Sequence, residues 1–368
     1  MTRRKREPWL PKPLFFVLLF PLLLSAEGWD WELPKGFPRP PVPADNPMAA
    51  AKVDLGRYLF YDKRMSVNGK ESCGTCHRQK LAFTDGKAHA EGATGQFHPR
   101  SSMSLVNVAY APRLTWANPT LDSLEQQAIV PMLGDEPVEL GLKGREQEFL
   151  ALVAHDPTYR RLFPRAFPGE GQVTLENVTK AIAAFERSIV SVRSPYDRYR
   201  WGGVPDAISD SAKRGEIVFS SSERGGCFQC HGGWNFGAIR FEGSEGVIRG
   251  EGIFFNTGVS DYAAPNSGIH EYTRREEDIG RFRAPSLRNI ALTAPYMHDG
   301  SMATLEEVIA HYSAGGKLPH PNKTHILRSF SLTDEEKHDL IEFLMSLTDE
   351  ELLRDPRWSD PWPATTRP

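Results

Sequence analysis

Three hydrophobic patterns organise the chain. The first is a continuous apolar run, LFFVLLFPLLL from Leu14 to Leu24, behind the basic stretch MTRRKREPWLPKP. A bilayer span takes ~20 apolar residues, so this run is too short to cross one comfortably. Small residues follow in LSAEG, and the pattern predicts a secretory signal peptide over 1–26, cleaved near Ala26. The second pattern is amphipathic. In TLENVTKAIAAFERSIV the apolar Leu175, Val178, Ile182, Phe185 and Ile189 recur at helical spacing, and Thr174 is placed to cap the helix. The third lies in HDGSMATLEEVIAHY. Thr304 and Glu307 form a capping-box pair, so a helix should start at Thr304. Leu305, Val308, Ile309 and Tyr312 then fall at i, i+3, i+4 and i+7, one inward face. His311 lies ~100° round the helix from Tyr312 and should point sideways or outward. Strand-like alternation over long stretches is absent, so the fold is expected to be mainly α.

No later segment reaches ~18 consecutive apolar residues. The mature chain is therefore expected to have no transmembrane span and to be periplasmic. The stretch RSPYDRYRWGGVPDAISDS (Arg193 to Ser211) is rich in Gly, Pro and polar residues and reads as a boundary. It divides an N-terminal domain, 27–200, from a C-terminal domain, 201–368, and a chain of 368 residues is long enough for both. The formal charge of −3 speaks against a nucleic-acid partner.

Four cysteines in an exported chain suggest disulfides first, but their spacing points elsewhere. Cys73, Cys76 and His77 form SCGTCH; Cys227, Cys230 and His231 form GCFQCH. Each is C-x-x-C-H, the haem c attachment signature. Two thioethers hold the porphyrin, and the adjoining His supplies the proximal imidazole. A four-cysteine zinc site, or two local disulfides, would leave both histidines unexplained. His77 and His231 are 154 positions apart (231 minus 77), a spacing that suits one haem per domain. The expectation is two cytochrome c-like helical domains, each carrying one covalently bound haem c.

The runs LFYDKRMSVNGKESCGTCHRQKLAFTDG and RFRAPSLRNIALTAPYMHDG, with SPYDR after AAFERSIV, resemble the bacterial di-haem cytochrome c peroxidase and MauG superfamily from about Pro43 to Thr348. TWANP, CHGGWNF and APYMHDGSMATLEEVIAHY are most similar to its MbnH-like branch. The resemblance implies that the first haem is the peroxide site and that the second stores or relays electrons. Cleaving a bound peroxide needs a group that moves a proton and a donor that stabilises negative charge. In SLEQQAIVPMLGDEPVELG, Gln127 and Glu139 match the family's distal pair. Two extra residues before PVEL leave Glu136 and Asp135 open beside Glu139, and Gln126 stands beside Gln127. A closing histidine after the first motif would fall near Ala93; His89 and His98 fit that register poorly, so an open iron on His77 is expected. Trp116 in LTWANP matches the family's tryptophan between the haems, although the usual WDGR neighbours are missing. The resemblance also implies one calcium ion held by carbonyl oxygens of Thr293 and Pro295. Ser101 stands where an asparagine is expected, with Asn107 close by.

On periodicity alone, an inward tyrosine such as Tyr312 is usually core. In the family, the distal ligand of the second haem lies fourteen residues beyond the His of PY-x-HDG, which from His298 is Tyr312. Simple peroxidases carry Met there and MauG-like enzymes Tyr. A thioether favours ferrous iron, whereas a phenolate stabilises the ferric and higher states. The expected function is thus an enzyme that uses hydrogen peroxide to build a highly oxidised di-haem state. The MbnH-like resemblance implies that the oxidised state then acts on tryptophan in a periplasmic or surface-associated partner protein, with Trp201 and Trp234 as candidates to carry the oxidising equivalent outward. The alternative is a di-haem peroxidase that reduces hydrogen peroxide with electrons from a small cytochrome or cupredoxin. A plain electron carrier is a third reading, against which Gln127 and Glu139 stand.

Overall fold

In a computed structural model, residues 29–169, 171–237, 240–242, 247–249 and 253–363 are described; the predicted signal peptide lies outside them. Helices dominate: α1 (Ala50–Tyr61), α2 (Cys73–Cys76), α3 (Leu124–Leu133), α4 (Glu146–His155), α5 (Pro157–Ala166), α6 (Leu175–Arg187), α7 (Pro195–Arg200), α8 (Asp210–Ser220), α9 (His270–Thr273), α10 (Leu305–Ser313) and α11 (Asp334–Met345). Strand is confined to two antiparallel pairs. β1 (Arg240–Glu242) runs beside β2 (Val247–Arg249), and β3 (Phe254–Phe255) beside β4 (Phe282–Arg283), with Phe254 opposite Arg283.

Local chemistry accounts for the helix starts. Side-chain oxygens of Ser123, Asp156, Thr174, Ser194, Ser209, Thr304 and Thr333 each accept a backbone N–H of the first turn, which satisfies donors that a helix leaves without a partner. Thr174 caps α6 as its position predicts. At α10 the capping box is only half formed. Thr304 accepts the Glu307 N–H at 3.2 Å, but the Glu307 carboxylate takes the N–H of Ala303, one residue before the expected donor.

Two apolar clusters organise these helices. In the first, α1 packs on α5 and α6, and α3 packs on α6, around Leu55, Leu59, Phe60, Ile182 and Phe185. In the second, α8 packs on α11, with α10 alongside, around Val218, Phe219, Ile309, Leu340 and Phe343. Both clusters use the same device. A Cβ at Gly56 of α1 would overlap the Ala181 carbonyl of α6, and one at Gly215 of α8 would overlap the Asp339 carbonyl of α11. Each helix pair therefore crosses at a glycine, with one C-x-x-C-H motif lying between its members in sequence.

The chain moves between clusters around residues 190–196. Tyr196 of α7 already belongs to the second, and the buried Arg288–Asp197 ion pair, 2.8 Å, ties α7 to the loops beyond β4. After α11 the chain turns back. Leu352 and Trp358 pack in the first cluster, and the Trp362 indole N–H donates to Tyr58 O at 3.0 Å. No helix among the described residues is long and apolar enough to cross a membrane.

Candidate haem centres

The two C-x-x-C-H segments form the same local turn. His77 N–H donates to Cys73 O and His231 N–H to Cys227 O, both at 2.8 Å. Cysteines three apart on such a turn share a face, and the histidine closes it. At the first motif, Ser72 and Thr75 form a capping box that opens α2. None of the four cysteines is in a disulfide.

Each imidazole is oriented by a backbone carbonyl. His77 Nδ1 is 2.9 Å from Phe83 O, and His231 Nδ1 is 3.0 Å from Pro285 O. A ring that donates through Nδ1 keeps Nε2 for a metal. The Phe83 carbonyl is brought there by two successive left-handed residues, Ala82 (φ +50°) and Phe83 (φ +60°). Left-handed backbone at a non-glycine residue costs roughly 1–3 kcal/mol, and such strain concentrates at functional sites. Burial lowers the proton affinity of both rings, so both are neutral, as a metal ligand must be.

Beside His231 lies a cavity of about 860 Å³. Cys227, Cys230, His231, Leu305, Val308, Ile309 and Tyr312 all border it, so the predicted inward face of α10 is its wall. Burial raises the Tyr312 phenol well above its usual range, and the neighbouring Cys230 and Cys227 add to the rise. Of the two directions expected for His311, sideways or outward, its burial excludes the outward one. Its Nε2–H donates to Thr257 O at 3.0 Å, and its Nδ1 accepts the Lys317 N–H at 3.2 Å. Both ring nitrogens are thus engaged with backbone. Met302 is in the second apolar cluster. His298 borders the cavity with its ring stacked on Phe282, centroids 3.7 Å apart.

At the first motif, Glu139 sits on a loop pinned over the site. Its carbonyl accepts the Ala93 N–H at 2.7 Å, and Leu140 N–H donates to Pro131 O of α3 at 2.9 Å. Burial alone lifts the Glu139 carboxyl from 4.5 to about 7. Burial also lifts the Cys76 thiol to about 11, and Glu139 contributes to the rise at Cys76 and Cys73 alike. Its rivals lie elsewhere: Glu136 and Asp135 are exposed, and Asp135 is paired with Lys143. On α3, Gln126 is exposed and Gln127 half-buried, one turn before Pro131. Where a closing histidine would stand, the residue is Ala93, buried against Glu139; His89 Nδ1 and His98 Nδ1 face carbonyls within their own loop, those of His98 and Arg100.

Trp116 borders the cavity. Its indole N–H donates to Ser101 O at 2.9 Å, and its own carbonyl accepts the Arg283 N–H at 2.8 Å. The calcium donor set fits poorly. The Ser101 hydroxyl donates to Met297 O at 3.2 Å, and the Asn107 amide is committed to Ser191 and Asn235. Thr293 and Pro295, whose carbonyl oxygens are the expected donors, border the cavity. The haem donor set fits: paired thiols, a neutral oriented imidazole beside each pair, and at the second a cavity with a buried phenol. Sequence reasoning missed Arg283, which nothing in RFRAP sets apart from Arg281.

Residues 50–204 match the family model for di-haem cytochrome c peroxidase. The chain is 36% identical to a cytochrome-c peroxidase of Denitromonas iodatirespirans, IdrP1, over 90% of this chain and 92% of that one. It is 33% identical to the methylamine utilization protein MauG of Methylorubrum extorquens, over 83% of this chain and 81% of that one. It also superposes on the crystal structure of a MauG-like protein associated with microbial copper homeostasis, with a TM-score of 0.86 and 42% identity, covering 91% of this chain and all of that one. The chain belongs to the di-haem cytochrome c peroxidase and MauG family, and it is an oxidoreductase that acts on hydrogen peroxide.

Proposed function

We propose that this enzyme is a MauG-like member of the family, exported to the periplasm, that uses hydrogen peroxide to oxidise a partner protein at tryptophan. The observation that carries this reading is Tyr312, which borders one cavity with His231, Cys227 and Cys230. The 42% identity to a MauG-like protein supports it further. In this reading Cys73, Cys76 and His77 would hold one haem c, and Cys227, Cys230, His231 and Tyr312 would hold the other. A pair of haems bound there would supply the redox centres at which hydrogen peroxide is reduced. Glu139 moves the peroxide proton, and Gln127 steadies the charge that develops. Trp116, fastened at its indole and its carbonyl, holds an aromatic ring between the two centres. Beyond the second motif, Trp234 lies 5.3 Å from Phe37, and Phe37 lies 4.9 Å from the half-exposed Trp201, ring centre to ring centre. This edge-to-face chain offers the oxidising equivalent a way to the surface.

The test is electron paramagnetic resonance of the diferric protein before and after one equivalent of peroxide. Both ferric signals should fall together, without prior reduction and without an added donor. If reaction requires one-electron reduction first and then turns over rapidly with a small reduced cytochrome, the chain is a conventional cytochrome c peroxidase.

A further inference from the structure

One positive charge at the cavity wall has no acidic neighbour. Arg283 lies on β4, two residues before Pro285, whose carbonyl orients His231. Its Nε donates to Thr115 O at 3.1 Å, and its Nη2 reaches Met103 Sδ at 3.1 Å. A guanidinium has five N–H donors, and these contacts engage two. Arg283 borders the cavity. Burial is the sole cause of its lowered proton affinity, with no acidic neighbour to offset it. Other arginines of the wall differ. Arg288 is paired with Asp197 and Arg224 with Glu336, while Arg328 lies on the exposed side.

Desolvating a cation without a counter-charge costs stability, and an anion bound beside it offsets that cost. The planar fork of arginine matches a carboxylate in two-point contact. Every haem carries carboxylate side chains, and this cavity holds the phenol and imidazole assigned above to haem. We propose that Arg283 is the counter-ion of a carboxylate on the second haem. This rests on the reading that Cys227, Cys230 and His231 carry that haem. Arg283 is thereby a positioning residue: it joins the cofactor to the loop of Thr115 and Trp116, and its positive charge raises the potential of the adjacent iron by disfavouring the more positive oxidised state.

The test compares Arg283→Gln and Arg283→Lys in the covalently loaded enzyme by haem content after denaturation and by spectroelectrochemical titration of each haem. Arg283→Gln should keep both haems and shift the oxidised-to-reduced ratio of the second at least tenfold toward oxidised at fixed potential, about 59 mV for one electron. Arg283→Lys keeps the charge and should shift it far less. A glutamine variant with full haem content and an unchanged potential overturns the proposal. So does a lysine variant shifted by the full tenfold, which also serves if the glutamine variant fails to accumulate. A wild-type potential that moves on titration with acetate, an effect lost in Arg283→Gln, would assign the site to a solution anion and overturn the cofactor pairing. Wild-type protein lacking the second covalent haem would sink the haem reading itself, an outcome distinct from an unchanged potential.

Discussion

Glu139→Gln is the substitution that most directly examines the peroxide site. It preserves shape and removes one ionisable group whose carboxyl is lifted by burial from 4.5 to about 7. At about 1.36 kcal/mol per pH unit, this is a preference of about 3 kcal/mol for the neutral form in the folded protein. Below pH 4.5 the group is protonated whether the chain is folded or not, and nothing is lost. Between 4.5 and about 7 the unfolded chain releases a proton that the folded chain retains, so stability falls as pH rises. Above about 7 the full penalty is present. Urea denaturation of the loaded protein at pH 5 and pH 8 should show wild type losing up to about 3 kcal/mol relative to Glu139→Gln. Stopped-flow mixing with peroxide supplies the functional half. The wild-type rate should rise with pH through about 7 as the base forms, while the variant should be flat and slower by roughly 10²-fold or more, the usual contribution of a positioned base. A variant that retains the rise centred near pH 7 would refute the assignment and return Glu136 to consideration.

Tyr312→Phe should remove the distal oxygen of the second iron and change its low-spin resonance signal; an unchanged signal would show that another residue is the ligand. Tyr312→Met should raise that haem's potential in titration and depress partner oxidation, because a thioether favours ferrous iron. Gly215→Ala would drive a methyl group into the Asp339 carbonyl and to 2.8 Å from Phe343 Cβ. Overpacking of this kind costs about 1–3 kcal/mol, so thermal denaturation should show a clearly lower Tm, and an unaltered Tm would deny the close crossing of α8 and α11. Gln127→Leu should slow the peroxide reaction without loss of haem content, and a parent-like rate would remove Gln127 from the site.

What the sequence determined by itself is what short spacing controls. C-x-x-C-H places two sulfurs and an imidazole on one turn because the hydrogen bond from His to the first Cys spans only four residues. Thr174 and Thr304 mark helix starts because a cap needs only the next three N–H groups. The inward face of α10 followed from its 3.6-residue period. Tertiary structure decided whatever depends on groups far apart in the chain. Periodicity could not reveal that Thr257 and the backbone at Lys317 would enclose His311. Three acidic residues of GDEPVE are equal in sequence, but only Glu139 lies on the segment that Ala93 and Pro131 hold, and burial there, a property of the packed molecule, is what shifts its proton affinity. Arg283 is one arginine among many until folding sets it against Thr115 and Met103, beside the cavity. Hydrogen bonding along a helix is local and can be read from order alone; desolvation sums over every neighbour and exists only once the two clusters have closed around the site.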